Sequence, residues 1–129
     1  MQLDDIMANV ADQDRGRVLE LVDPFDGKPT GMKLWIAGPD SDTAHRARIR
    51  LADELADMAD ADGRVSAEHR EKARRNCLAA HVLCWDGVED EGKPITFSTK
   101  ALLILLRVQW IEQQVDAFAG DRRNFRPEA

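Results

Sequence analysis

LCWDGVEDEGKPITFSTKALLILLRVQWIEQQVDAFAGDRRNF, residues 83–125, is the stretch that decides the fold of this chain. After a tryptophan it turns at two acidic-residue–glycine pairs and continues through a short extended piece at 94–97. Ser98 then precedes a helix whose interior, 101–106, is the most apolar six-residue run in the protein. Serine is a favoured N-cap because its hydroxyl accepts a backbone N–H of the first helical turn. These patterns predict a packed scaffold with a tryptophan at each corner, and they contain no pattern typical of a catalytic pocket.

The upstream sequence predicts a hairpin followed by two long helices. Residues 17–22 and 32–37 have β-forming side chains, and the segment between them is rich in proline and glycine, which is typical of a β-hairpin. Ser41 or Asp40 is the expected N-cap of the first of these helices, and Ser66 that of the second. The predicted architecture is α+β: an N-terminal hairpin at 17–37 packed on a mainly helical domain with helices at about 41–60, 67–84, 99–107 and 109–119. In this prediction 1–14 is a flexible or short-helical N-terminus, 15–120 a single domain and 121–129 a C-terminal tail.

Composition restricts the classes of function. The chain has 129 residues, which suits one domain with a real core, and a formal net charge of −6. Nucleic-acid binding is disfavoured, because phosphate neutralisation needs a basic face and stacking needs aromatic residues, which make up only 5%. Two local arginine-rich clusters, at 46–50 and 70–75, are the counter-evidence. Met1 is followed by acidic residues, and no apolar run approaches the roughly 20 residues of a membrane span, so we expect a cytoplasmic protein.

The two cysteines predict a reducing compartment. Cys77 and Cys84 are seven residues apart, which on the predicted helix of 67–84 places them two turns apart on one face. Their Cα atoms would then be roughly 10 Å apart, too far for a disulfide. We therefore expect two buried free thiols.

Calcium binding is the sharpest chemical alternative in the sequence. Residues 58–66 resemble the middle of an EF-hand loop, with Gly63 at the sixth position. An EF-hand needs carboxylates at its first and twelfth positions, and here these are Met58 and His69. We interpret the segment as a break between two helices, and we predict no metal and no cofactor.

Hydrolytic chemistry is equally disfavoured. The serines before helices are explained by capping. His45, His69 and His81 have no metal-ligand spacing with one another or with the cysteines. His81 lies in an apolar region, where a hydrogen-bonded structural role is expected. The sequence predicts a protein that is not an enzyme.

Several short motifs resemble tail assembly chaperones of long-tailed phages and prophages. They are Trp-Asp-Gly at 85–87 followed by an acidic-Gly turn, Pro-x-x-Phe-Ser at 94–98, the Leu-rich helix, and Trp-Ile-x-x-Gln-Val at 110–115. Gly-Pro-Asp-Ser-Asp at 38–42, followed by a basic helix, fits the same family, so the resemblance covers roughly 38–118. It implies a protein that binds the tape measure protein, and often tail-tube subunits, in the infected cell, and that is absent from the finished particle. It leaves a homo-oligomer open.

A partner would be bound by apolar surface. Ile104, Val108, Ile111, Val115 and Phe118 are spaced by four, three, four and three residues, which makes one stripe if the last two helices are nearly collinear. Core packing explains such a stripe, and a binding groove left partly open explains it as well. The predicted partner contacts are Trp85, Phe97, Ile104, Trp110, Ile111 and Phe118. Two other functions stay open: a structural tail or head-tail connector subunit of a virion, and a small bacterial adaptor or regulatory module that uses the basic clusters.

Overall fold

Residues 1–127 of the computed structural model are described here, and they form a mixed α+β fold with five α-helices and a small antiparallel sheet. The α+β class predicted from the sequence is confirmed, and the helix count exceeds the predicted four. The elements in chain order are α1 (Leu3–Arg15), β1 (Arg17–Val22), β2 (Pro29–Ile36), α2 (Asp42–Met58), α3 (Ala67–Ala80), β3 (Val82–Asp86), β4 (Glu89–Asp90), β5 (Lys93–Pro94), α4 (Thr99–Leu105), α5 (Gln109–Ala119) and the 3₁₀ helix η1 (Arg122–Phe125).

The main sheet has the strand order β1-β2-β3, with β2 in the centre and both pairings antiparallel. Leu34 pairs with Leu19 on one side and with Trp85 on the other. Leu34 and Ile36 are fully buried, because alternate side chains of a strand point to the same face and this face packs on the helices. The predicted hairpin is therefore two strands of a three-stranded sheet.

The third strand replaces the end of a predicted helix. The sequence predicted a helix over 67–84, whereas α3 ends at Ala80 and the chain passes through His81 into β3. The residues after 80 are apolar and continue the helical pattern, but the exposed edge of β2 offers them backbone hydrogen bonds and burial. Val82 pairs with Ile36 and is 6% exposed. Tertiary pairing overrides local propensity here.

The helix starts follow the sequence closely. The hydroxyl of Ser41 accepts the backbone N–H of Ala44 at 3.1 Å, as an N-cap does. Ser66 and Ser98 cap α3 and α4 in the same way. The predicted caps at Ser66 and Ser98 are confirmed, and of the two candidates for α2, Ser41 and Asp40, it is Ser41 that caps the helix.

Both ends of the chain join the fold. The predicted N-terminus of 1–14 is the 13-residue helix α1, whose Asn9 side chain donates to the carbonyl oxygen of Phe125 at 2.9 Å. Phe125, within the predicted tail of 121–129, is 1% exposed and packs edge-to-face on Phe118. The two ends of the described chain are therefore in contact, and Phe125 belongs to the core. Residues 128–129 lie outside the described part.

The two cysteines lie on different elements, which corrects the prediction of two buried thiols on one helical face. Cys77 is on α3 and is half-buried, whereas Cys84 is on β3 and is exposed. Both thiols are free. No helix within residues 1–127 combines the length and the apolar character needed to cross a membrane.

Candidate functional site

Two of the six predicted contact residues hold a loop. Trp85 and Phe97 are half-buried and pack edge-to-face with ring centroids 5.2 Å apart. The indole Nε1 of Trp85 donates to the carbonyl oxygen of Ile95 at 2.8 Å. These contacts fasten the connection from β3 to α4 over the sheet, so we assign both aromatic residues to the scaffold.

Three more of the six belong wholly or partly to the core. Ile111 is 3% exposed and sits among the buried residues, so it offers no surface to a partner. Trp110 and Phe118 are half-buried and pack against the same cluster. The sequence could not separate these residues from a binding surface, because core and interface use the same side chains.

Ile104 differs from the other five, because 61% of its surface is exposed. The predicted stripe divides at the junction between the last two helices: Ile104 and Val108 are exposed, whereas Ile111 and Val115 are buried. The reason is that α4 ends at Leu105 and α5 begins at Gln109, with Val108 as its N-cap in an extended conformation. The two helices thus do not present one continuous apolar face.

Ile104 lines an open groove between α3 and α4, which we call the α3/α4 groove. Its volume is about 750 Å³. The α4 side contributes the apolar surface, through half-buried Leu103 and exposed Ile104. The full lining is Glu68, Glu71, Lys72, Arg75, Asn76, Thr99, Lys100, Leu103, Ile104 and Arg107.

The α3/α4 groove carries positive charge in an acidic protein. Four cationic and two acidic side chains line it, whereas the whole chain has a net charge of −6. Arg75 pairs with Glu71 at 3.4 Å, and its Nε is buried without a hydrogen-bond partner. Among the described residues, no ion pair within 4.0 Å is formed by Lys72, Lys100 or Arg107. The groove lining thus combines the apolar side chains of Leu103 and Ile104 with cations available to an incoming acidic group.

A second crevice, between α2 and α3, lacks an activated nucleophile. Its volume is about 320 Å³, and Cys77 is part of its lining. Burial raises the pKa of the Cys77 thiol, which favours the unreactive neutral form. Burial lowers the pKa of His81, and its Nδ1 lies 2.8 Å from the carbonyl oxygen of Cys77. The histidine thus has the hydrogen-bonded structural position that the sequence predicted.

The loop at 58–66 uses its acidic residues for its own backbone. One carboxylate oxygen of Asp60 accepts the backbone N–H groups of Asp62 and Arg64, both at 2.9 Å. This arrangement is an Asx-type turn that ends one helix before the next begins. Within residues 1–127, no group of three or more His, Cys, Asp or Glu side chains is placed to hold a metal ion.

Comparisons with known proteins return no relative: no protein-family model, no curated protein and no solved structure matches this chain.

Proposed function

We propose that this protein is a tail assembly chaperone of a long-tailed phage or prophage, which binds an amphipathic helical segment of the tape measure protein in the host cytoplasm. It performs no chemistry on that client. It holds the client in solution until the tail tube is assembled. Tail-tube subunits are the second class of client in this proposal, and they are bound through the same kind of contact.

The observation that carries this proposal is the exposure of Ile104 in the α3/α4 groove. Ile104 is 61% exposed and lies beside Leu103 in the lining of an open groove, and apolar side chains that are grouped at a groove, rather than scattered singly, mark a binding surface. An open groove with apolar side chains in its lining is the receptor shape of the helix-in-groove mode, in which residues at i, i+3, i+4 and i+7 of a client helix provide the anchors. The sequence motifs at 38–42, 85–87, 94–98 and 110–115 resemble those of tail assembly chaperones. This resemblance is the reason for proposing the tape measure protein as the client.

The direct test is co-expression with a tape measure protein, followed by pull-down on the tagged chain. Wild-type protein is expected to retain the client, and Ile104→Glu is expected to lose most of it, because a charge in the centre of an apolar contact must be desolvated. Ile49→Glu is the matched control: this isoleucine is 49% exposed on α2, away from the groove. Circular dichroism checks that both variants are folded. Absence of a complex with the wild-type chain contradicts the proposal.

A second experiment distinguishes a chaperone from a structural component of the virion. Mass spectrometry of purified particles would detect a structural tail or connector subunit, whereas a chaperone leaves before the particle is complete. Detection of this chain at the copy number of a tail protein would replace the chaperone function with the structural one.

A further inference from the structure

The first two turns of α1 expose an apolar surface that the fold does not use. Leu3 is 70% exposed, Ile6 46% and Met7 55%. Their spacing of three and four residues places them on one side of the helix. Within residues 1–127, the hydrogen bonds that join the α1 side chains to the chain after the helix come from Asn9 and residues 12–14, in the second half of the helix.

Acidic groups flank this apolar surface. The helix has four aspartates, at positions 4, 5, 12 and 14, against one arginine at its end. Asp4 and Asp5 are exposed in the same two turns as Leu3, Ile6 and Met7. The start of α1 is therefore an acidic amphipathic helix with its apolar side open to water.

The α3/α4 groove has the complementary properties. Its lining offers Leu103 and Ile104 as apolar side chains and Lys72, Lys100 and Arg107 as cations. Apolar anchors on the helix and apolar side chains in the groove favour docking, and the opposite charges steer the two surfaces together and favour one orientation.

We propose that the first two turns of α1 of one copy dock into the α3/α4 groove of a second copy. In the arrangement that we propose, each copy gives its α1 to one neighbour and its groove to another, so the contact is head-to-tail and its repetition produces rings or open chains of copies. Self-association then covers the same groove that the client is proposed to enter, and a client helix of similar character must displace the helix of the neighbouring copy. The proposal of self-association does not require a client, because it is measured with this protein alone.

The first experiment is sedimentation of the full chain over a range of concentrations. The wild-type average mass is expected to rise above the 14.5 kDa of one chain as concentration increases, and high salt is expected to oppose that rise. Ile6→Lys places a cation against the cationic side chains of the α3/α4 groove. Ile104→Glu places a carboxylate against the acidic start of α1. Each is expected to weaken self-association by roughly tenfold or more, as for a central anchor of an interface. Ile49→Glu is expected to associate as the wild-type chain does.

Mixing the two variants tests the head-to-tail arrangement. The Ile6→Lys copy keeps an intact groove, and the Ile104→Glu copy keeps an intact α1. Equal amounts of the two are expected to form a 1:1 dimer that does not grow longer, because only one productive contact remains. A wild-type chain that stays monomeric at all concentrations overturns the proposal, and so does self-association that neither variant weakens. Self-association of the Ile104→Glu variant that is as strong as that of the wild-type chain also overturns the proposal, because the contact then does not use the groove.

Client capture separates this proposal from the proposed function. Ile6→Lys is expected to bind the tape measure protein at least as well as the wild-type chain, since its groove is intact and uncovered. If the wild-type chain captures the client but never self-associates, the chaperone function stands and the docking of α1 is wrong. If it self-associates through these surfaces but captures no client, the docking of α1 stands and the chaperone function is wrong.

Discussion

Gln13 is the residue at which the N-terminal helix is joined to the loop before α2. It is 2% exposed, its Nε2 donates to Asn9 at 2.8 Å, and its Oε1 accepts the backbone N–H of Asp40 at 2.8 Å. Gln13→Ala is expected to lower the free energy of unfolding by about 2 kcal/mol, because it leaves buried polar groups without partners. Chemical denaturation measures the change. Gln113→Ala, at an exposed position of α5, is the control and is expected to stay near wild type.

A comparison of two glycines separates the cost of a steric collision from the cost of a positive φ. Gly87 and Gly92 have nearly the same positive φ, 76° and 74°, but a Cβ on Gly87 would collide with the carbonyl oxygen of Gly31, whereas a Cβ on Gly92 would meet nothing within 4 Å. Gly92→Ala is expected to cost about 1 kcal/mol of stability through its conformation alone. Gly87→Ala is expected to cost about 2 kcal/mol more, because the β2 and β3 backbones must separate. Thermal melts of the two variants measure these losses of stability. Equal losses in the two variants would contradict the predicted steric contact.

At the scale of elements, the sequence predicted what is encoded locally. The caps at Ser41, Ser66 and Ser98 depend on one side chain and the next turn of backbone, and all three were predictable. The strand β3 was not, because Val82 and its neighbours are apolar in either a helix or a strand, and the choice was made by pairing with β2. The exposure of Ile104 and the burial of Ile111 could not be predicted from the sequence either, since both depend on how the chain turns between α4 and α5.

Acid is expected to weaken the contacts of α1 with β1 and α2, and the contact of the loop before α2 with η1. The pKa of Asp12 is lowered by its hydrogen bond from Arg17, and that of Asp40 by its hydrogen bonds from Arg122. Burial by itself raises the pKa of Asp14, but hydrogen bonds from Thr43 and Asp42 outweigh it, and the net pKa is also lowered. The stability from such groups is present above their ordinary pKa of 3.8 and is lost as the pH falls through the lower folded-state values.

Asp14→Asn tests this acid dependence. The variant is expected to be less stable than the wild type at neutral pH. The difference is expected to shrink as the pH falls below 3.8, where the Asp14 carboxyl of the unfolded chain is protonated, and to be lost once the folded-state carboxyl, whose pKa is lower, is protonated too. The measurement is the free energy of unfolding at a series of pH values. Asp57→Asn, at an exposed position of α2, is the control. A difference between Asp14→Asn and wild type that is constant down to strongly acidic pH would contradict the assignment.

At the scale of the whole molecule, the fold depends on the last turn of the described chain. Phe125 is 1% exposed, lies 5.5 Å from Phe118 between ring centroids, and accepts a hydrogen bond from Asn9 through its carbonyl oxygen. Phe125→Ala is therefore expected to lower the free energy of unfolding by about 3 kcal/mol, as for a buried aromatic residue. Phe25→Ala makes the same chemical change on a loop, at a side chain that is 95% exposed, and is expected to cost almost nothing.

Hydrogen exchange identifies the elements in which Phe125→Ala lowers the local stability. Because α1 is fastened to η1 through Asn9 and to the loop before α2 through Gln13, removal of the Phe125 ring is expected to speed amide exchange in α1 more than in the central strand β2. Since the proposed docking helix is the first half of α1, the same variant is also expected to weaken self-association at concentrations where it is still folded. Unchanged exchange in α1, together with wild-type stability, would show that residues 122–125 are a tail after all and that the N-terminal helix is held without them.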